Sequence, residues 1–173
     1  MTFRIFFLSI ALLGALSACG PQPPKPAAVP EKKTISNAAG IPKQKVELAT
    51  LDSLRFSKTL LEVPANKKIT LTLHNEGRMP REIMVHNLVV LKPGSDINLF
   101  TAESSFAEDT DYIPEEYEDW IVAHTKTLAA GESETITFRA PKVPGEYPFI
   151  CSYPGHAAAG MKGIMRVVVE TTE

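Results

Sequence analysis

The chain has 173 residues, 44% hydrophobic and 22% charged, with a formal net charge of −2 and two cysteines. That is the size and composition of one ordinary globular domain. It excludes a disulfide-stapled scaffold, a collagen-like or low-complexity chain, and a strongly basic nucleic-acid binder.

Residues 1–18 carry Arg4 and no acid, followed by an apolar run from Ile5 to Ala15. The run is shorter than the about 20 apolar residues a membrane span needs, and its proportions are those of a secretory signal peptide. Leu16-Ser17-Ala18-Cys19 resembles the lipobox of bacterial lipoproteins, in which the cysteine becomes the first mature residue and is acylated. The resemblance implies a lipid on Cys19. Two or more acyl chains anchor stably, at ~0.8 kcal/mol per buried methylene. The remaining thiol, Cys151, then lies in an oxidising compartment, where a lone thiol should be protected or employed.

Residues 19–44 read as a tether. Pro21, Pro23, Pro24, Pro26, Pro30 and Pro42 fall here, six of the chain's fourteen prolines, with little that can bury a core. At ~3.1 Å per residue in an extended polyproline conformation, the segment spans roughly 75 Å.

From Lys45 to Glu173 the pattern is that of a β domain. Ile69, Leu71 and Leu73 alternate with Thr70 and Thr72, and Ile136 and Phe138 alternate with Thr135 and Thr137, the period of half-buried strands. Val46–Leu51, Leu54–Phe56, Leu60–Val63, Arg81–Leu88, Tyr147–Cys151 and Ile164–Val169 complete about eight short strands. Turn signals at Pro64-Ala65-Asn66, Asn75-Glu76-Gly77, Gly131-Glu132 and Pro144-Gly145 separate them. The expected fold is an all-β sandwich or barrel. A mixed insertion interrupts it from Pro93 to Thr125, with Tyr117, Trp120, Ile121 and His124 at helical spacing after Pro114. The insertion is expected to pack over one edge or end of the sandwich.

The residues that carry chemistry lie late in the chain. Cys151, His156 and Met161 fall within one short stretch, on a turn marked by Pro154-Gly155 and Gly160, and Met84-Val85-His86-Asn87 sits far upstream. Singly, Cys151 reads as a small buried hydrophobe, Met161 as core, and His86 as a satisfied strand histidine. Jointly they match a blue-copper electron-transfer site: two histidines and a cysteine in trigonal array with a long axial methionine. Thiolate and thioether suit Cu(I), and imidazole suits both oxidation states. His74 and His124 have no nearby soft partner and read as surface or packing residues.

With those residues in view, the region from Val46 to Val169 resembles the cupredoxins, the type 1 blue copper family of azurin and plastocyanin, and is most similar to the membrane-associated auracyanins. The resemblance runs through Leu60–Leu73, Met84–Asn87, Gly131–Phe138 and Gly145–Val169. Four residues between Cys151 and His156 is azurin-like, and four between His156 and Met161 is plastocyanin-like; auracyanins have both. The resemblance implies a Greek-key sandwich and one type 1 copper per chain, with His86, Cys151 and His156 equatorial and Met161 axial. Asn87 is expected to tie the two ligand-bearing segments together, with Ser152 beside it. Val85 stands where azurin has a glycine whose carbonyl approaches copper, and azurin's disulfide has no counterpart.

The function implied is one-electron transfer by an extracytoplasmic, lipid-anchored, monomeric protein, not an enzyme. The alternative is a non-redox copper-binding or carrier module. A multicopper oxidase or nitrite reductase needs further histidines beyond the four present, and a binuclear copper site needs a second thiolate. Expected partners are redox proteins, such as a c-type cytochrome or a membrane electron-transfer complex. Two docking surfaces are expected. One is apolar and surrounds the His156 edge with Met84, Tyr153, Pro154, Ala157, Ala158 and Ala159. The other is an acidic stretch free of lysine and arginine between Lys92 and Lys126, including Glu115, Glu116 and Glu118. It reads first as a solvated face and, as the functional alternative, as a patch that steers a basic partner.

Overall fold

Period-two alternation makes strands from Lys45 onward, and in the computed structural model, which describes residues 43–169, they pair into two sheets. The signal segment, Cys19 and most of the tether lie outside the described residues. β1 (Lys45–Leu51), β2 (Arg55–Phe56), β4 (Lys68–Asn75) and β7 (Ser133–Arg139) form one sheet in the order β2-β1-β4-β7. β3 (Leu60–Pro64), β5 (Val89–Leu91), β6 (Ile121–His124), β8 (Gly145–Ile150) and β9 (Lys162–Val168) form the other, in the order β3-β9-β8-β5-β6. The parallel pairs β1/β4 and β3/β9 join strands that are not adjacent in sequence, so the sandwich is not a simple meander. The fold is the expected all-β sandwich.

The core shows the alternation directly. In β4, Ile69, Leu71 and Leu73 are buried while Thr70, Thr72 and His74 are half-buried on the outer face. Between the sheets lie Leu48, Leu61, Val63, Leu88, Val90, Phe149, Met165 and Val167, together with Cys151 and Met161. A second cluster lies on the far side of the β8/β5 sheet. Val89, Leu91 and Ile150 meet Phe100, Ile113 and Ala157 there, with Tyr117, Trp120 and Ile121 packed against them. Residues 89 and 91 thus face one way and residue 90 the other, and β5 is buried on both faces.

This corrects three expectations. The insertion covers a face of the β5-containing sheet rather than an edge or end. Its elements are a helix α1 (Ile97–Ser104), capped by Asp96 accepting from the N–H groups of Asn98 and Leu99, and two 3-10 turns, Glu108–Thr110 and Glu115–Trp120. The helical spacing at Tyr117 and Trp120 belongs to the second turn, but Ile121 and His124 lie on β6, paired with β5. Finally, Arg81–Leu88 is not a strand. The N–H groups of Ile83 and Met84 both donate to the Pro80 carbonyl (3.0 Å each), winding a turn whose donors are then unavailable to a ladder.

Gly163 marks a close approach. It pairs with Phe149 across β8/β9, and a Cβ there would fall on the Phe149 ring and stand 2.7 Å from the Thr59 carbonyl oxygen. Phe149 is held in turn edge-on to Phe56, with ring centroids 5.2 Å apart. Gly163→Ala is therefore expected to destabilise the fold by about 1–3 kcal/mol through overpacking, seen as a lower urea midpoint; an unchanged midpoint contradicts this packing.

Candidate metal centre

The three candidate donors that the sequence separates meet at one end of the sandwich. Cys151 follows β8 directly, and its N–H donates to the Met161 carbonyl (3.1 Å), extending the β8/β9 pairing by one step beyond Ile150 and Lys162. The chain between them is a wound loop. Ala159 N–H bonds to Gly155, Gly160 N–H to Ala157, and Met161 N–H to His156 (2.9–3.0 Å). Gly155 and Gly160 have φ of 81° and 102°, the left-handed region that glycine enters without steric cost. The winding folds His156 back over the cysteine, placing its Nδ1 3.4 Å from Cys151 Sγ.

His86 arrives from the other segment. It forms an isolated bridge with Leu128: His86 N–H donates to the Leu128 carbonyl (3.1 Å), and Leu128 N–H donates back (2.8 Å). Its Nδ1 lies 4.0 Å from Cys151 Sγ, and the two imidazole rings are 5.0 Å apart. The ligand atoms of His86, Cys151 and His156 all lie within 4.8 Å of one another, and all three residues are buried. Met161 is fully buried in the same cluster as Cys151.

Asn87 joins the two segments. Its Oδ1 accepts from Ser152 N–H (2.8 Å), and its Nδ2 donates to Ser152 Oγ (2.8 Å) and to the Asp111 carbonyl (2.9 Å). Asp111 is a residue that sequence reasoning missed as part of this end of the molecule. It has φ of 57°, and its carboxylate accepts from both the N–H and the hydroxyl of Thr127, next to Leu128. Val85 is buried beside His86. His86 Nε2 is buried without a hydrogen-bond partner among the described residues, and the Leu128 bridge fixes the backbone that carries the ring.

Burial sets the protonation. It pushes His86 down to about 4, partly opposed by the Asp52 carboxylate, and pushes His156 down to about 4, with His86 adding to the effect. It pushes the Cys151 thiol up to about 11, partly opposed by backbone hydrogen bonding from Asn87 and Tyr153. At neutral pH the metal-free site therefore holds two neutral imidazoles and a protonated thiol. A metal that takes the sulfur displaces that proton. Two imidazole nitrogens turned on one buried sulfur, with a thioether in the same cluster and no carboxylate in the group, fit a soft or borderline metal and not a hard, oxygen-loving one.

The other predicted residues are dispersed as follows. On the loop that carries the buried His156, Pro154, Ala158 and Ala159 are exposed and Tyr153 is half-buried, its ring 4.6 Å from that of His156; Met84 is half-buried on the other segment. Ala157 departs from the expected docking face: it is 4% exposed and packs inward on the cluster beneath the insertion. Glu115, Glu116 and Glu118 are exposed on the second 3-10 turn, and the first two share a cleft of about 260 Å³ with Glu103, Phe106 and Asp109. His74 lies on the sheet surface, 2.8 Å from both Glu47 and Ser133, and His124 is exposed at the end of β6. Neither belongs to the metal cluster.

The sequence profile of copper-binding proteins of the plastocyanin/azurin family matches residues 43–169. An azurin of Bordetella pertussis is 35% identical over 127 residues, covering 71% of this chain and 83% of the azurin. Outer membrane protein H.8 of Neisseria meningitidis is 37% identical over 109 residues, covering 62% of this chain and 58% of that protein. The crystal structure of a dithionite-reduced auracyanin from the photosynthetic bacterium Roseiflexus castenholzii superposes with a TM-score of 0.65 at 38% identity, covering 73% of this chain and 98% of the auracyanin.

The buried histidines make the metal-free protein acid-sensitive. Their pKa values are lowered in the folded state, so the unfolded chain takes up protons first, near pH 6.5. Stability present above pH 6.5 is therefore lost as pH falls towards about 4, by on the order of a few kcal/mol. Urea midpoints of the metal-free protein at pH 8, 6 and 4.5 test this, and His156→Gln should flatten the profile. A midpoint that is flat in the unsubstituted chain contradicts it.

Proposed function

The chain belongs to the plastocyanin/azurin family of copper-binding proteins, with copper as its cofactor, and from that premise we propose that it is a one-electron carrier. His86, Cys151 and His156 would hold one type 1 copper per chain, with the Met161 thioether as a fourth donor. The observation that carries this reading is the convergence of two Nδ1 atoms on one buried sulfur, all within 4.8 Å. Bound copper supplies a reversible Cu(I)/Cu(II) couple.

The chain's own residues supply the rest. Cys151 and Met161 stand opposite each other at the neck of the β8/β9 hairpin, so the positions of both sulfur ligands follow from strand register. Asn87 fixes the His86 segment to Ser152, one residue past the cysteine. Donors held this firmly in a buried site have little freedom to rearrange when charge changes, which favours fast electron exchange. The chain has only four histidines, two of them in the site, which favours a carrier over a multicopper enzyme.

Placement and partners belong to the same proposal. Residues 1–18 act as a lipoprotein signal, Cys19 carries the lipid, residues 19–44 are the tether, and residues 45–173 the copper domain. The lipobox resemblance supports an extracytoplasmic anchor, as does the name of the outer membrane relative. Tethering raises local concentration and suits weak, quickly broken contacts with a redox partner, such as a c-type cytochrome or a membrane electron-transfer complex. The protein works as a monomer. Its electron leaves or enters at the His156 edge, where Met84, Tyr153, Pro154, Ala158 and Ala159 offer a small apolar surface, and Glu115, Glu116 and Glu118 steer a basic partner.

Adding Cu(II) is expected to give an intense blue absorption with narrow copper hyperfine splitting and a reversible one-electron couple. Cys151→Ser should abolish the blue band, because it originates in thiolate-to-copper charge transfer. Met161→Leu should retain copper and raise the reduction potential. A blue band surviving Cys151→Ser contradicts the ligand assignment, and copper bound without a reversible couple leaves the non-redox carrier.

Docking has its own test in electron-transfer kinetics with a basic cytochrome. Ala158→Glu should slow transfer severalfold without loss of copper. Raising ionic strength should slow it by about tenfold or more if the acidic surface steers encounter. Rates indifferent to salt and to neutralisation of Glu115, Glu116 and Glu118 eliminate the acidic surface.

A further inference from the structure

Among the described residues, side-chain hydrogen bonds tie the ligand loop, residues 152–161, to the rest of the fold at its two ends only. Asn87 holds the cysteine end through Ser152. The methionine end is held by Arg55, whose Nη1 donates to the Ala159 carbonyl at 2.7 Å, two residues before Met161. The same Nη1 donates to the Leu54 carbonyl, also at 2.7 Å. A permanently charged, planar donor makes stronger bonds than a neutral one and loses less freedom in making them.

The local backbone is arranged around this contact. Leu54, in the turn between β1 and β2, has φ of 56°, a left-handed position that hairpin turns usually give to glycine. On the loop side, Gly160 has φ of 102°, and a Cβ there would stand 3.2 Å from the guanidinium carbon of Arg55. The guanidinium thus lies against bare backbone. Asp52, in the same hairpin turn, accepts from the N–H groups of Arg78 (2.9 Å) and Met79 (3.4 Å), in the segment that leads to His86. The β1/β2 hairpin therefore braces both ligand-bearing segments from outside.

We propose that Arg55 is a positioning residue for the copper site: it clips the ligand loop at Ala159 and fixes where Met161 stands relative to Cys151 and His156. The inference rests on the ligand assignment above and adds to it a residue that lies far from the loop in sequence.

Arg55→Met in the full-length protein tests it, with Arg55→Lys as its companion. In the metal-free protein, hydrogen exchange at the Gly160 and Met161 amides, which bond to the Ala157 and His156 carbonyls, is expected to speed about three- to tenfold in Arg55→Met. Exchange in β4 and β7 should stay unchanged. In the copper-loaded protein, the same variant should alter the relative intensity of the thiolate-to-copper bands and the rhombicity of the EPR signal. Arg55→Lys, which keeps a charged donor, should return both readouts towards the unsubstituted protein. Unchanged exchange at Gly160 and Met161 overturns the proposal. So does faster exchange with an unaltered copper spectrum, because the clip then fails to reach the ligands. An unsubstituted protein that binds copper without a blue band overturns the type 1 reading instead, so the two failures are distinct.

Discussion

The metal end depends on the register of β8 against β9. The ladder runs from Gly145 opposite Val167 to Ile150 opposite Lys162, and the next step sets Cys151 opposite Met161. Because side chains alternate, Phe149 and Cys151 point between the sheets while Ile150 points to the cluster under the insertion. A slip of one residue would turn the thiol to the wrong face. The apolar residues that lock this register are core residues in their own right: Phe149 against Phe56, and Met165 and Val167 in the cluster between the sheets. The strand positions of both sulfur donors thus follow from hydrophobic packing, to which Arg55 adds a clip on the loop beside Met161.

Burial then decides what the donors are before any metal arrives. A thiol pushed up to about 11 and imidazoles pushed down to about 4 are three neutral groups at neutral pH, which is why they tolerate an environment that an unpaired charge would not. The same dryness raises the cost of forming the thiolate alone. A cation that supplies the compensating charge is correspondingly favoured, and a soft one most of all. Burial of soft donors would thus favour affinity and selectivity together.

How much of this could be read from the chain depends on the period of each segment. The strands with one face in the core, such as β4 and β7, announce themselves by alternation. The donors announce themselves by residue type and spacing. What stayed hidden has physical causes. β5 is buried on both faces, so its Val-Val-Leu has no alternation, whereas Arg81–Leu88 just before it reads as a strand although the N–H groups of Ile83 and Met84 are spent on Pro80. Ile121 and His124 share a helical spacing with Tyr117 and Trp120 by accident of a 3-10 turn running straight into a strand. Ala157 sits in a loop, where no period says which side is inward. Asp111 and Arg55 reach the site through backbone carbonyls, Asp111 to Asn87 and Arg55 to Ala159, and carbonyls leave no trace in the identity of the accepting residue.

His86 poses the harder question, since this proposed ligand is not on a regular strand. The answer lies in its backbone neighbours. His86 N–H is bonded to Leu128, Leu88 N–H to the Thr125 hydroxyl, and the Leu88 carbonyl accepts from Thr125 N–H. Asn87 between them is bonded through its side chain to Ser152 and Asp111. Buried polar groups satisfied in this way cannot move without exposing an unpaired donor, at about 1–3 kcal/mol each. Irregular backbone can therefore be as stiff as a ladder. It can also aim a side chain in a direction that strict alternation forbids, and this lets an imidazole from one segment meet a sulfur from another.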